Sequence, residues 1–352
     1  MPAPVSIVIP TWNGRHLLER FLPSVLTAAR KYAADHGAAV EVVVADDGSV
    51  DGTGEWVNRQ ASAAAVPLRL LRDDVNRGFG VAANRGIEAA AHPLVWLLNN
   101  DVEIEPDGIF SLSACFRDDD PSLFAAHSRM IDLDSNQPVG TGKMGGFSRG
   151  FLRVHRSYVT LDRNREPYWS IFATGGSAMF RRSIFLELGG FDAIFAPFYM
   201  EDVELSYRAW KRGYAVRYEP RSVVKHRFSS TIAPLAGRRV ERISQRNRLL
   251  FHWIHLHDPQ LLCAHLAWLV VLLVTRPFTF KFGFLGGFAD AWARRADVRP
   301  RRRRERSLAS RSDRDILRLF AELDASGTIR SYGNPNQLDE SMLAEMWRQS
   351  PP

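Results

Sequence analysis

Four short polar clusters in this 352-residue chain hold side chains able to do chemistry: Asp46-Asp47-Gly48-Ser49, Asn99-Asn100-Asp101, Glu201-Asp202 and His226. A carboxylate in the first can accept hydrogen bonds from a base or ribose, with Ser49 capping the next helix. The same four residues also make an ordinary strand-to-helix turn. Asn99-Asn100-Asp101 follows the apolar run at 93–98. It reads either as the start of a loop or as an oxygen-rich edge for a hard divalent cation, which takes only one or two protein carboxylates when phosphates fill the other positions. Glu201-Asp202, behind Phe198-Tyr199-Met200, suits the dipole at a helix N-terminus and equally suits a general base. His226, between Lys225 and Arg227, is a ligand only if partners accompany it and is otherwise structural.

The elements that must position these clusters are legible from periodicity. Continuous β-branched or Leu-rich runs at 5–10, 40–45, 68–72 and 94–98 predict strands covered on both faces. Amphipathic patterns at 16–31, 53–64 and 79–91 predict the intervening helices, so the first 230 residues read as βαβ units around a parallel sheet. The four clusters then stand at carboxyl ends of strands or just before helices, where open α/β sheets bind ligands. Residues 121–180, rich in glycine and aromatics, read as loops and a β-excursion over the sheet. A helix is predicted at 202–212, a strand at 214–218, and a loop to His226.

The net charge is +7, with 45% hydrophobic and 24% charged residues, a globular composition that excludes a disordered or fibrous chain. Cys115 and Cys263 are too few for a disulfide framework, so a reducing compartment is expected. The start of the chain reads as a buried strand with no secretory signal. The charge is local: residues 294–306 hold Arg294, Arg295, Arg299, Arg301, Arg302, Arg303, Arg304 and Arg306 against Asp297 and Glu305, a net +6. Ahead of them lie a helical pattern at 238–256 and apolar stretches at 261–274 and 278–288, each short of the roughly 20 residues needed to span a bilayer. The reading is a catalytic unit over 1–230, a helical membrane-interface segment over 231–308 whose basic cluster faces anionic lipid, and a polar tail over 309–352 with one short helical pattern. A nucleic-acid or polyanion site at 294–306 is the reading of another class. Residues 299–306 lack interleaved aromatics to stack bases, so no nucleic acid is expected.

Two patterns are decoys. Gly78-Phe79-Gly80-Val81-Ala82-Ala83 fits a dinucleotide fingerprint but follows the third strand rather than the first. His252, His255 and His257 fall on different helix faces without an acidic partner, and are read as interfacial.

Taken in order, VSIVIPTWNG (5–14), DDGSVDGT (46–53), NRGFGVAAN (76–84), LLNND (97–101), TGGSAMF (174–180), LGGFD (188–192), EDVELSYRAWKRG (201–213) and His226 resemble the family 2 glycosyltransferases of GT-A fold, and among them the rhamnosyltransferase-like branch. The resemblance covers about residues 4–255. It implies an α/β fold with a Rossmann-like, mostly parallel sheet flanked by helices, and inverting transfer of a sugar from a nucleoside diphosphate. It further implies that Pro10, Thr11, Asn13, Asp46 and Asp47 border the base and ribose, and that Asn76, Arg77, Asn84, Asn99, Asn100, Gly175, Gly176 and Glu201 border the rest of the donor. Asp101 matches the metal-binding aspartate of the family's D-x-D motif, with Asn99 where its first aspartate stands. Asp202 matches the catalytic base, and His226 a histidine that reaches the metal, Mn²⁺ or Mg²⁺. The implied donor is dTDP-rhamnose, with a UDP-hexose as the alternative. The membrane-interface reading of the C-terminal segment points to a glycan or lipid-linked intermediate of cell-surface polysaccharide synthesis as acceptor, met by a cytoplasmic enzyme peripheral to the inner face of the membrane. Gln245-Arg246-Asn247-Arg248-Leu249 is similar to the Q-x-x-R-W element of processive synthases but carries Leu249 in place of tryptophan.

Overall fold

A computed structural model describes residues 2–116, 119–161, 168–227, 237–279 and 282–333. The boundary expected near residue 230 and positions 334–352 of the polar tail lie outside these residues. The chain begins with β1 (Val5–Thr11), α1 (Arg15–His36), β2 (Val40–Asp46), α2 (Thr53–Ala61), β3 (Leu68–Arg72), α3 (Phe79–Ala89) and β4 (Leu94–Leu98). All residues of β1, β2 and β4 are buried, as continuous Val/Ile/Leu runs demand when helices cover both faces. The expected strands and helices of this half are all present.

The middle of the chain departs from the expectation. It contains β5 (Val102–Ile104), α4 (Gly108–Ser113), β6 (Leu123–Asp132), β7 (Pro138–Gly140), β8 (Gly142–Ser148), β9 (Phe151–Thr160), β10 (Ser177–Arg181), α5 (Arg182–Leu188), α6 (Glu201–Lys211) and β11 (Ala215–His226). Residues 121–180 are therefore only partly an excursion: β8 and β9 form a separate sheet, whereas β6 and β10 are interior strands of the main one. The main sheet has nine strands among the described residues, ordered β3-β2-β1-β4-β10-β6-β11-β5 with β7 paired to β6. It is parallel from β3 to β4, and β10 runs antiparallel to both neighbours. β6 escaped the pattern because polar residues interrupt its apolar run. Inside the fold they find partners: His127 Nε2 lies 3.0 Å from Ser170 Oγ, and Ser128 Oγ lies 2.8 Å from Ser222 Oγ. The loop expected between 218 and 226 is also strand. A register shift between Glu219 and Val223 absorbs Pro220, which cannot donate to a regular ladder.

The C-terminal part supplies α7 (Gly237–His255), α8 (Pro259–Thr275), α9 (Phe282–Ala293), α10 (Arg295–Leu308), α11 (Asp313–Ala325) and β12 (Ile329–Tyr332), the last pairing with β9. Asp313 at the head of α11 accepts from Lys211 Nζ and Tyr207 Oη of α6, at 2.8 and 2.7 Å. Phe320 packs edge-on to Trp210, with centroids 5.7 Å apart. Among the described residues no helix is long and apolar enough to cross a membrane. His252 and His255, read as interfacial, are instead buried. Nε2 of His252 accepts from the Leu152 N–H at 2.9 Å, and Nε2 of His255 lies 2.8 Å from Glu204 Oε1. On α8, by contrast, only His265 and Leu269 are buried.

Candidate active site

The polar clusters converge at the carboxyl ends of β1, β2 and β4. Asn13, in the left-handed region with φ 47°, donates its N–H to Ser49 Oγ at 2.8 Å and accepts from the Val50 N–H at 2.9 Å. This ties the loop after Pro10 and Thr11 to the one after β2. Asp46 accepts the Ser49 N–H through Oδ1 at 3.0 Å, while its Oδ2 is buried without a hydrogen-bond partner, 3.8 Å from Arg72 Nε. That oxygen is an acceptor available to a base or ribose. Asp47 holds protein instead: its two oxygens accept the N–H groups of Arg77 and Gly78 at 2.9 and 2.7 Å. Gly48, at φ +77°, allows the approach, since a Cβ there would lie 2.9 Å from the Val75 carbonyl carbon. Asn76 and Arg77 are thereby held at the exposed rim. Asn84 works similarly, pairing Oδ1 and Nδ2 with the N–H and carbonyl of Phe191 at 2.8 and 2.9 Å.

At the end of β4, Asn100 donates to Thr11 Oγ1 at 2.8 Å. Asp101 Oδ1 lies 3.0 Å from His226 Nε2, and Asn99 Nδ2 lies 3.5 Å from the same nitrogen. Strand pairing enforces this meeting: His226 is opposite Val102, and Arg227 N–H donates to the Asp101 carbonyl at 3.3 Å. One carboxylate and one imidazole fit a hard-to-borderline divalent cation that draws its remaining ligands from a diphosphate. The described residues contain no cluster of three or more such side chains.

Gly175-Gly176 bridges this end of the site to the carboxylate pair on α6. Gly175 N–H donates to Asp202 Oδ2 at 3.2 Å, and a Cβ on Gly176 would lie 2.9 Å from Asn99 Nδ2. Asp202 Oδ1 accepts the Val203 N–H at 2.8 Å. Burial pushes the carboxyls of both Glu201 and Asp202 upward; for Glu201, where the Asp202 charge adds to desolvation, the value reaches about 8. Glu201 Oε2 is buried without a hydrogen-bond partner. Arg77, Phe191, Asp192, Pro197 and Glu201 line a cleft between α3 and this pair.

Three features carried no usable sequence signal. Lys143 on β8 donates to Ser157 Oγ at 2.9 Å and is lowered to about 8 by burial, against which the Asp202 charge works. Its partner lies on another layer of the fold, beyond the reach of spacing. Trp12 stands 49% exposed beside Asn13, marked only by that exposure. Arg246 and Asn247 hydrogen-bond to the backbone ahead of Glu201. The Q-x-x-R-like stretch pointed to their neighbourhood but not to this role, and Leu249 is buried.

The family model for glycosyl transferase family 2 matches residues 6–189, and that for glycosyl transferase family group 2 matches residues 151–293. An N-acetylglucosaminyl-diphospho-decaprenol L-rhamnosyltransferase of Mycobacterium tuberculosis (strain CDC 1551 / Oshkosh) is 30% identical over 249 residues, covering 63% of this chain and 75% of its own. The structure of GalNAc-T7 with UDP, GalNAc and Mn²⁺ superposes with a TM-score of 0.59 at 21% identity, covering 73% of this chain and 48% of that one. The mannosyltransferase PcManGT of Pyrobaculum calidifontis, with GDP-Man and Mn²⁺, does so with a TM-score of 0.52 at 18% identity, covering 99% and 84%. At these identities the structural likenesses establish the fold, which is GT-A.

Proposed function

The chain belongs to glycosyl transferase family 2, in its rhamnosyltransferase-like branch, and on that premise we propose an inverting transferase that moves rhamnose from dTDP-rhamnose to a lipid-linked glycan acceptor. The observation that carries the reading is the placement of Asp202, whose Oδ2 accepts the Gly175 N–H while the adjoining Gly176 abuts Asn99, the neighbour of the Asp101–His226 pair. Asp202 takes the proton of the acceptor hydroxyl as that oxygen bonds to C1 of the sugar. The bond from C1 to the diphosphate oxygen breaks on the opposite face, so configuration inverts and a nucleoside diphosphate departs. A base of this kind contributes about 10²–10⁴-fold in rate. Asp46 Oδ2 and the Asn13 loop receive the nucleoside, and Arg77 at the cleft rim faces the donor. Asp101 and His226 would hold Mn²⁺ or Mg²⁺, which when bound offsets the charge on the leaving diphosphate.

The membrane-facing role of the C-terminal segment belongs to the same proposal. Val270, Val274, Phe278 and Phe282 are 60–81% exposed along one stretch, and Leu266 and Trp292 are half exposed. Exposed apolar groups in such number mark an interaction surface. Arg295, Arg299, Arg303, Arg304 and Arg306 are exposed nearby in sequence, and each is worth about 1 kcal/mol beside anionic lipid. An acceptor anchored in the cytoplasmic leaflet would meet a site carried on this surface.

The test is transfer from dTDP-rhamnose and from UDP-glucose to a polyprenyl-diphosphate-linked N-acetylglucosamine, with wild type and Asp202→Asn. The expected result is rhamnosyl transfer with inverted configuration, and an Asp202→Asn variant that binds donor but has lost turnover. Near-wild-type turnover in that variant would overturn the base assignment, and transfer from UDP-glucose alone the choice of donor.

A further inference from the structure

The loop from Gly190 to Met200, which delivers the chain to Glu201 and Asp202, is held from the C-terminal helices. Asn247 of α7, fully buried, directs its Nδ2 at three carbonyls, those of Phe195, Phe198 and Tyr199, at 2.6, 3.0 and 2.9 Å. Its Oδ1 accepts from Arg246 Nε at 2.9 Å, which fixes the amide's orientation. The other arm of Arg246 donates to the Ala196 carbonyl. From the basic stretch, Arg294 Nη1 donates to the Ile194 carbonyl at 2.8 Å, and Arg301 clasps Asp192 through Nε and Nη2 at 2.7 and 3.1 Å. Six of the eight residues from Asp192 to Tyr199 are thus pinned by a donor from α7 or from residues 294–301.

The loop needs such holding. Tyr199 and Met200 are consecutive non-glycine residues in the left-handed region, with φ 68° and 76°, immediately before α6. Such conformations persist where the surroundings over-determine them, and they cluster at functional sites. One turn into α6, Glu204 is fixed to α7 by the buried His255 contact and within α6 by Arg208, both at 2.8 Å. The direction of α6, and with it the placement of Asp202, is therefore set from α7.

We propose that Asn247, with Arg246, Arg294 and Arg301, forms a positioning clamp that holds the Asp192–Met200 loop so that Asp202 meets the acceptor hydroxyl in line with the donor. This rests on the transferase reading with Asp202 as base. Part of the arginine cluster, on this account, faces the active-site loop rather than lipid, and removing it lowers turnover without weakening donor binding. None of the four side chains touches the reacting atoms; they act through the loop backbone.

The experiment compares full-length wild type, Asn247→Ala, Arg301→Ala, Arg301→Lys and, as control, Arg30→Ala, an exposed arginine of α1 outside the basic cluster. Three quantities are read: dTDP release from dTDP-rhamnose in the presence of acceptor, donor KM, and amide hydrogen exchange over residues 192–204. A displacement of about 1 Å at a reacting group costs on the order of 10²-fold. The expectation is a fall in kcat of at least about tenfold for Asn247→Ala and Arg301→Ala, with donor KM within about twofold of wild type. Exchange over 192–204 should quicken while β1 and β4 stay protected. Arg301→Lys should recover part of the loss, and Arg30→Ala should match wild type. If Asn247→Ala does not fold, Arg301→Ala carries the comparison. Unchanged kcat with unchanged exchange overturns the clamp, as does a loss shared equally by donor affinity and turnover. Faster exchange in a protein whose wild type transfers no sugar upholds the clamp and overturns the functional reading instead.

Discussion

Asp101 and His226, 125 positions apart in the sequence, meet with Oδ1 and Nε2 3.0 Å apart because β11 returns antiparallel to β5 and sets His226 opposite Val102. Neither side chain alone makes a metal site. Together, at the mouth of the sheet beside Asn99, they would on the proposed reading make half of one, the other half being left to a diphosphate. Asp101→Ala and His226→Ala should each weaken Mn²⁺-dependent binding of dTDP by at least about tenfold, a scale at which even outer-shell ligand partners register. Calorimetric titration with and without Mn²⁺ checks this. Equal dTDP affinity in wild type and Asp101→Ala, with metal present, would sink the assignment.

Lys143 bears on Asp202 in the direction that keeps the carboxylate charged, opposing the burial that raises it. Replacing this cation with methionine removes the opposition, so Asp202 should hold its proton to higher pH. The acidic limb of the kcat/KM profile should then move upward in pH for Lys143→Met and stay in place for Lys143→Arg. A limb that does not move in Lys143→Met would show that the ammonium does not act on the base.

Glu201 illustrates the stability consequence of a buried acid. Its folded value of about 8 lies above the unfolded 4.5, so the folded state binds the extra proton. The stabilisation is complete below pH 4.5 and is lost as pH rises through about 8. Glu201→Gln, uncharged throughout, should therefore be more stable than wild type above pH 8 and gain little at pH 4. Denaturant unfolding across that range reads the difference directly, and parallel curves for the two proteins would contradict it.

The outer face of α8 offers a separable change. Val270 and Val274 are 61% and 60% exposed, and charging them opens no cavity. Val270→Glu with Val274→Glu should leave thermal unfolding within a few degrees of wild type, since surface changes are usually within about 0.5 kcal/mol. Co-sedimentation with vesicles containing anionic lipid should fall sharply. A double variant that still sediments like wild type would place the lipid-binding surface elsewhere.

Local pattern determined a great deal here. Continuous apolar runs and 3.6-residue periodicity located β1 to β4 and the helices between them, because a strand covered on both faces and a helix covered on one leave their period in the sequence. The polar residues closing those strands marked the site for the same reason: sequence neighbours of a buried strand end share its mouth. Periodicity did not reveal β6, whose buried His127 and Ser128 are satisfied only by Ser170 and Ser222, or the continuation of β11 through Pro220. Those depend on partners distant in sequence. Roles divided the same way. Residue type nominated Asp47 and Asn84 for the donor, and tertiary hydrogen bonds tie them to the backbone of Arg77, Gly78 and Phe191. The arginine run was visible as charge, yet only packing decided that Arg301 turns inward to Asp192 while Arg303 faces solvent. A side chain's charge is local chemistry, but its partner is chosen by where the rest of the chain comes to lie.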